Sequence, residues 1–370
     1  MKIREPISRL LGIVLLISIP EIAMCDEVAE FDLIKQHKSF QKEESKTRRR
    51  KLFNESIESA VTRGLKYLIE QQQPNGFFPG SSTFRENVAT TAYSGQALLM
   101  ARNIWKNKDY HFAVDKAAVF LISHQTERGL ILKGDKASTS AIYGHGIALR
   151  FLANYFHSNG SKELRTAIER AVELTTSLQQ DDGSWGYEFK SNRGGRGDIS
   201  NTACQMAALL AARDAGFKVK KQVLNKAAAY MISAQKDDGG FLYVISYESK
   251  STHQRSAVVM ASLPRLPKVE VKQILKAYQF MDSTHKPHFT NAPFYHYAMT
   301  YGIVAYRHRG SDAFCQWYES MSKPLLSNQQ DDGSWYVNHV RLGKSFGTAT
   351  VCMFLQSILF DPGNAKSIKR

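Results

Sequence analysis

Apolar side chains follow two alternating rhythms along this chain. From residue 54, segments with one apolar face run at roughly 54–73, 110–125, 162–180, 219–235, 268–283 and 312–330. In the first, Ile57, Ala60, Val61, Gly64, Leu65, Leu68 and Ile69 keep the three-and-four spacing of a helix buried on one side. Between these lie segments apolar around most of their circumference, at about 88–104, 138–157, 199–215, 252–264, 294–309 and 345–360. Ala207-Ala208-Leu209-Leu210-Ala211-Ala212 is typical of them, and such helices are buried on more than one side. The pattern predicts an all-α protein of six helix pairs, with the all-round apolar helices forming an inner ring and the one-sided helices an outer one. A linear stack of the same pairs would need polar caps on its end repeats, and neither end differs enough to supply them.

A short phrase marks each passage from an outer helix to an inner one. Gln179-Gln180-Asp181-Asp182-Gly183-Ser184-Trp185 recurs letter for letter as Gln329-Gln330-Asp331-Asp332-Gly333-Ser334-Trp335. Gln235-Lys236-Asp237-Asp238-Gly239-Gly240-Phe241 exchanges one aromatic for another, while Gln72…Gly76…Phe78 and Gln125…Gly129…Ile131 are worn copies. The glycines at 76, 129, 183, 239 and 333 are 53, 54, 56 and 94 residues apart. Because 94 is two periods of 47, a sixth copy is expected near 283–289, where Ser283-Thr284-His285-Lys286-Pro287-His288-Phe289 has lost the phrase. Repeats of this length are the mark of repeat architectures. Asp-Gly supplies a tight turn with one residue free to take positive φ. The aromatic can then pack back on the helix, and the glutamine amide can bond exposed helix-end carbonyls. Gln179, Gly183, Trp185, Gln235, Gly239, Phe241, Gln329, Gly333 and Trp335 are therefore expected to be structural clasps, with the Asp pairs in surface turns rather than in catalysis.

The N-terminus changes the picture of where this body works. Lys2, Arg4 and Arg9 precede the apolar run Leu10–Ile19, and Ala23-Met24-Cys25 offers a small-residue cleavage site, the layout of a secretory signal over residues 1–25. An uncleaved anchor and a lipoprotein lipidated at Cys25 are the alternatives. Residues 26–53 are polar and charged, as in a flexible stalk. The toroidal body then runs from 54 to 362, with a polar tail from 363 to 370. The 370 residues carry a formal charge of +15. Arg48, Arg49, Arg50 and Lys51 concentrate part of it, suiting an anionic membrane surface. No nucleic-acid motif accompanies that charge. Cys204, Cys315 and Cys352 make no dense even set of the kind that forms a disulfide framework, so small buried hydrophobes are the expectation for Cys204 and Cys352.

The glutamine–aspartate–glycine–tryptophan phrase resembles the repeat motif of squalene–hopene and oxidosqualene cyclases, and the whole repeat is similar to the prenyltransferase/squalene cyclase repeat over about residues 54–360. That resemblance implies an α/α toroid. The cyclases protonate an alkene from the middle Asp of an Asp-x-Asp-Asp-Thr-Ala segment opening an inner helix. The matching segment here is Asp198-Ile199-Ser200-Asn201-Thr202-Ala203, so Ser200 stands at the proton donor and Asn201 at the last Asp. A serine hydroxyl cannot protonate an alkene, which argues against triterpene cyclisation and leaves Asp198 as a helix N-cap or a cavity acid. The resemblance to protein prenyltransferases is partial. Phe294-Tyr295-His296-Tyr297 looks like their Tyr-His segment, but no Asp-x-Cys is present, and no zinc set or cofactor is expected.

Polar residues near the starts of the inner helices are the remaining candidates for chemistry. Asp198, His145, His296 and Tyr295 are the candidate acid/base groups. Tyr93, Tyr143, Asn201, Cys204, His253 and Tyr301 are candidate cavity walls. Each is also readable, and more simply, as a core group tying helices together. Three functional classes follow: an exported toroid that holds an apolar or isoprenoid ligand, a diverged lipid- or polysaccharide-acting enzyme using cavity Asp, His and Tyr, and a scaffold for envelope proteins. Oligomeric state is not legible in the sequence.

Overall fold

The computed structural model describes residues 46–81, 85–133, 141–187, 197–246, 248–338 and 342–359. The expected signal segment with Cys25, most of the stalk and the tail lie outside them. Contacts divide the chain into Met1–Thr47 and Arg48–Arg370; everything below concerns the second unit. Residues 48–52, read from composition as the end of the stalk, are helical.

Twelve helices follow among the described residues. The outer members are α1 (Glu55–Gln71), α3 (Lys108–Ser123), α5 (Lys162–Ser177), α7 (Lys221–Ser233), α9 (Val271–Thr284) and α11 (Ser311–Leu326). The inner members are α2 (Val88–Trp105), α4 (Ala141–Asn159), α6 (Ile199–Asp214), α8 (His253–Met260), α10 (Pro293–Arg309) and α12 (Gly343–Ser357). Each inner helix packs on the inner helix before and after it, and α12 returns to α2, so the inner ring closes. The fold is the α/α toroid that the alternating rhythms predict. The fourth inner helix is the exception in length: α8 ends at Met260 and a 3₁₀ turn at Leu263–Arg265 takes over, where Pro264 cannot donate a helical hydrogen bond.

Side-chain caps start many of these helices. Asn54, Asn87, Ser161, Asp198 and Thr252 each accept a hydrogen bond from the backbone N–H three residues on, satisfying one of the orphan donors of a helix start.

The clasps join neighbouring pairs rather than capping their own helix. In each of five repeats the glutamine Nε2 donates twice, once to the carbonyl of its own glycine and once to a carbonyl in the next outer helix. Gln72 reaches Ala113 at 2.8 Å, Gln125 reaches Ala167 at 2.8 Å, Gln179 reaches Val223 at 3.0 Å and Gln235 reaches Gln273 at 2.9 Å. The glycine has no alternative. At Gly183 φ is +92°, and a Cβ would lie 2.2 Å from the carbonyl oxygen of Lys226. The aromatic is then drawn fully inside: Trp185 and Trp335 are 0% exposed, with Nε1 donating to Thr175 and Leu325 carbonyls. Asp182 and Asp332 accept from the N–H and Oγ of Ser184 and Ser334, holding the surface turn.

Near 283–289 no such clasp is made. His285 Nε2 instead meets Ser320 Oγ of the next outer helix at 3.0 Å, a single side-chain contact in place of a doubly donating amide.

Candidate functional site

The first turns of the inner helices carry a second, unadvertised half of the clasp. The backbone N–H of the clasp aromatic donates to Thr91 Oγ1 from Phe78, Thr202 Oγ1 from Trp185 and Thr348 Oγ1 from Trp335, at 3.0–3.1 Å. In the second repeat Ile131 N–H donates to His145 Nδ1 at 3.2 Å. His145 thus occupies the threonine position of its repeat. Its Nε2 meets Thr175 Oγ1 at 2.9 Å, it is 0% exposed, and burial holds its pKa down at about 4. Both ring nitrogens are engaged in packing the repeat.

Asp198 stands at a different kind of place. It caps α6 through Oδ1, which accepts from Asn201 N–H at 2.8 Å and faces the Tyr143 hydroxyl at 3.4 Å. Its Oδ2 is buried without a hydrogen-bond partner of good geometry among the described residues. Burial pushes the carboxyl up to about 6, against the N–H groups at the helix start, which pull it down. Four tyrosines form a chain around it. Tyr143 packs against Tyr187 and Tyr297 with ring centroids 6.0 and 5.9 Å apart, and the Tyr187 and Tyr243 hydroxyls hydrogen-bond each other. Asn201 turns away to the Gly186 carbonyl and to Gln205.

A second group lies one to two turns further along the inner helices. Tyr297 packs on Tyr301 at 4.7 Å, Arg150 Cζ sits 5.0 Å over the Tyr301 ring, and Tyr93 and Cys204 are their neighbours. Tyr93, Tyr301 and Cys204 are at most 3% exposed. Burial raises all three, the thiol to about 11, so none is charged near neutral pH.

His296 and Tyr295 are buried in a third group. His296 Nδ1 meets Thr350 Oγ1 at 3.0 Å, the rings of Phe289, Tyr295 and Phe346 surround it, and burial lowers its pKa to about 4. Phe346 packs edge-on to Tyr93 at 5.2 Å and so links this group to the second. His253 is not brought to any of these. Its Nδ1 faces the Met281 carbonyl of α9, and its ring lies 5.0 Å from His285.

Sequence reasoning therefore listed Asp198, Tyr93, Tyr143, Cys204 and Tyr301, which the fold does bring together. It missed Tyr187, Tyr243 and Arg150. The signal for Arg150 was present: it is a cation in an otherwise apolar helix, in register with Tyr143, Ile147 and Asn154. Among the described residues no three His, Cys, Asp or Glu side chains gather as a metal cage requires. Cys204, Cys315 and Cys352 are buried free thiols. Among the described residues no helix is long and apolar enough to cross a membrane. On the outside, Arg48 pairs with Asp312 at 3.3 Å, while Arg50 and Lys51 are exposed.

Known proteins share this architecture. The family model for the squalene-hopene cyclase C-terminal domain matches residues 86–250. A drimenyl diphosphate synthase of Streptomyces showdoensis is 28% identical over 191 residues, which are 50% of this chain and 32% of that protein. The chain thus matches about a third of that relative's length. Among solved structures, cellobiose 2-epimerase of Spirochaeta thermophila is similar with a TM-score of 0.63 at 12% identity, over 84% of this chain and 97% of that one. A type II terpene cyclase of Scytonema, bound to geranylgeranyl dihydroxybenzoate, gives 0.53 at 16% identity over 82% and 97%. An alpha-1,6-mannanase of Salegentibacter gives 0.61 at 10% identity over 82% and 100%. These structural likenesses establish the α/α toroid. The family match and the repeat add that this toroid is similar to that of squalene–hopene cyclases over residues 86–250.

Proposed function

We propose that the axis of the toroid binds an apolar, isoprenoid-like ligand and does not cyclise it. The observation that carries this reading is the pairing of tyrosine-lined inner helices with a weakened acid. Tyr93, Tyr143, Tyr297 and Tyr301 present aromatic faces from three inner helices, and convergent aromatic and polar groups are the usual make-up of a small-molecule site. Ser200 occupies the donor position and has no transferable proton of the needed strength. Asp198 at about 6 is a weak acid, far from able to protonate an alkene. The solved terpene cyclase of similar fold holds a geranylgeranyl compound, which supports the size and character of the ligand.

A second reading rests on Asp198 alone. A carboxyl near 6 with one oxygen bare can exchange a proton with a heteroatom, the property of a general acid/base, and the sugar epimerase among the structural neighbours supports an enzyme of this shape.

Organic extraction of the purified protein followed by mass spectrometry tests the first reading. A stoichiometric isoprenoid or other lipid is expected. A clean extract, together with no binding of an added prenyl alcohol, overturns it.

A further inference from the structure

Arg150 is the cation at the centre of the second group, and no described carboxylate pairs with it; Asp198, whose charge also acts on Cys204, is held at the start of α6. Along α4, Tyr143, Ile147, Arg150 and Asn154 fall at steps of four, three and four on one face; Tyr143, Arg150 and Asn154 are partly exposed there. At the level of Arg150 four of the six inner helices meet. α2 brings Tyr93, α6 brings Cys204, α10 brings Tyr301, and α4 brings the guanidinium.

Arg150 makes no ion pair with a described residue; its described contacts are the Tyr301 ring and the electrostatic influence of its buried neighbours. The Tyr93 and Tyr301 hydroxyls are buried and lack hydrogen-bond partners of good geometry among the described residues, although Tyr93 neighbours Thr300 and Tyr301, and Tyr301 neighbours Cys204. Both the thiol and the phenols are held neutral by burial. Two O–H donors withdrawn from water beside a half-buried guanidinium are costly to leave unbonded. They are compensated together by one kind of group, an anion that accepts from all three.

We infer that the ligand is an amphiphile whose carboxylate docks on Arg150, Tyr93 and Tyr301, with its apolar chain running along the tyrosines toward Tyr143 and Tyr297. This rests on the ligand-binding reading proposed above and specifies it. A guanidinium presents paired N–H donors matching the two oxygens of a carboxylate, and the remaining lone pairs are within the capacity of two phenols. One positive charge balances a monoanion. A diphosphate carries more negative charge than the described residues can neutralise at this level. The edge-on contact of Tyr93 with Phe346 continues the apolar wall beside the head group.

The test is calorimetric titration of the delipidated full-length protein with geranylgeranoic acid, geranylgeraniol, geranylgeranyl diphosphate and inorganic phosphate. It is run on the native sequence, Arg150→Gln and Arg150→Lys, each checked for native helicity. The acid is expected to bind at least about tenfold more tightly than the alcohol, as for a charge-assisted pair. Arg150→Gln should erase that preference and leave the alcohol unchanged; Arg150→Lys should keep part of it. Equal binding of acid and alcohol to the native protein overturns the head-group assignment and leaves the apolar-ligand reading standing. Failure of both prenyl probes to bind overturns that reading as well. Tighter binding of the diphosphate overturns the monoanion, and binding of inorganic phosphate as tight as the acid overturns the amphiphile.

Discussion

Gln329 Nε2 donates to the Ala60 carbonyl at 2.9 Å, joining the last outer helix turn to the first across 269 positions of sequence. The same amide bonds the Gly333 carbonyl at 2.8 Å. This is the joint used between every other pair that has one, so the closure of the ring is chemically the same as its internal seams.

Gln329→Ala is therefore expected to cost as much as Gln179→Ala. Each removes two hydrogen bonds to partly buried carbonyls, on the order of 1–3 kcal/mol in all, and Gln329→Ala also an exposed one accepted from Arg63 that adds little; the loss is read as a fall in urea midpoint without change of slope. A negligible effect of Gln329→Ala beside a full effect of Gln179→Ala would mean that the ring is open in solution.

The glycine of the clasp separates two costs that are usually tangled. Gly183 and Gly216 have φ of +92° and +91°, but a Cβ at Gly183 meets the Lys226 carbonyl at 2.2 Å while nothing lies within 4 Å of one at Gly216. Gly216→Ala should show only the backbone strain, roughly 1 kcal/mol. Gly183→Ala should lose clearly more, because the turn must move away from α7 and release Gln179. Equal losses in thermal unfolding would rule out the close approach.

His145 predicts a loss of stability on mild acidification. Burial lowers its pKa from 6.5 to about 4, so the unfolded chain takes up a proton there between those values and the native state does not. Stability contributed by the neutral ring is then complete above about pH 6.5 and lost as pH falls toward 4, by on the order of a few kcal/mol. His145→Gln, which keeps a side-chain acceptor for Ile131 N–H, should flatten this dependence. Native protein and His145→Gln showing the same dependence of melting temperature on pH from 7 to 4.5 would contradict it.

Asp198 has the opposite sign. Its carboxyl is raised from 3.8 to about 6, so the native state holds its proton longer than the unfolded chain, and stability falls as pH rises from about 4 through 6. Asn caps a helix as well as Asp. Asp198→Asn should thus be as stable as the native protein at pH 4 and at least as stable at pH 7. A marked loss at pH 7 would mean that the ionised carboxylate is paired in the folded protein.

The twelve helices were legible because each pair repeats its pattern and five of the six repeat the phrase. The three-and-four spacing of Ile57, Val61, Leu65 and Leu68 fixes a buried face without reference to anything distant. The direction of the clasp was not legible. Nothing near Gln179 names Val223 as its acceptor, and only alignment of all five copies shows that the residue three beyond each acceptor carbonyl is basic: Lys116, Arg170, Lys226, Lys276 and Arg63. His145 looked like a catalytic candidate for the same reason, since its kinship with Thr91, Thr202 and Thr348 emerges only when the repeats are superposed. Tyr187 and Tyr243 reach Asp198 from turns rather than inner helices, where periodicity carries no information.

The inner ring also contains glycines that no turn requires. A Cβ at Gly144 would fall 2.7 Å from Val88, one at Gly95 2.8 Å from Phe151, and one at Gly146 2.7 Å from Gln205. A clasp instructs a helix pair only about its next neighbour; it holds no count. The number of sectors is set by the wedge angle between pairs, and that angle is set by how little volume stands between adjacent inner helices. Symmetry order in this protein is thus stored as missing methyl groups at the two seams that flank α4, and a bulkier residue at one of them would act on the bore of the whole ring.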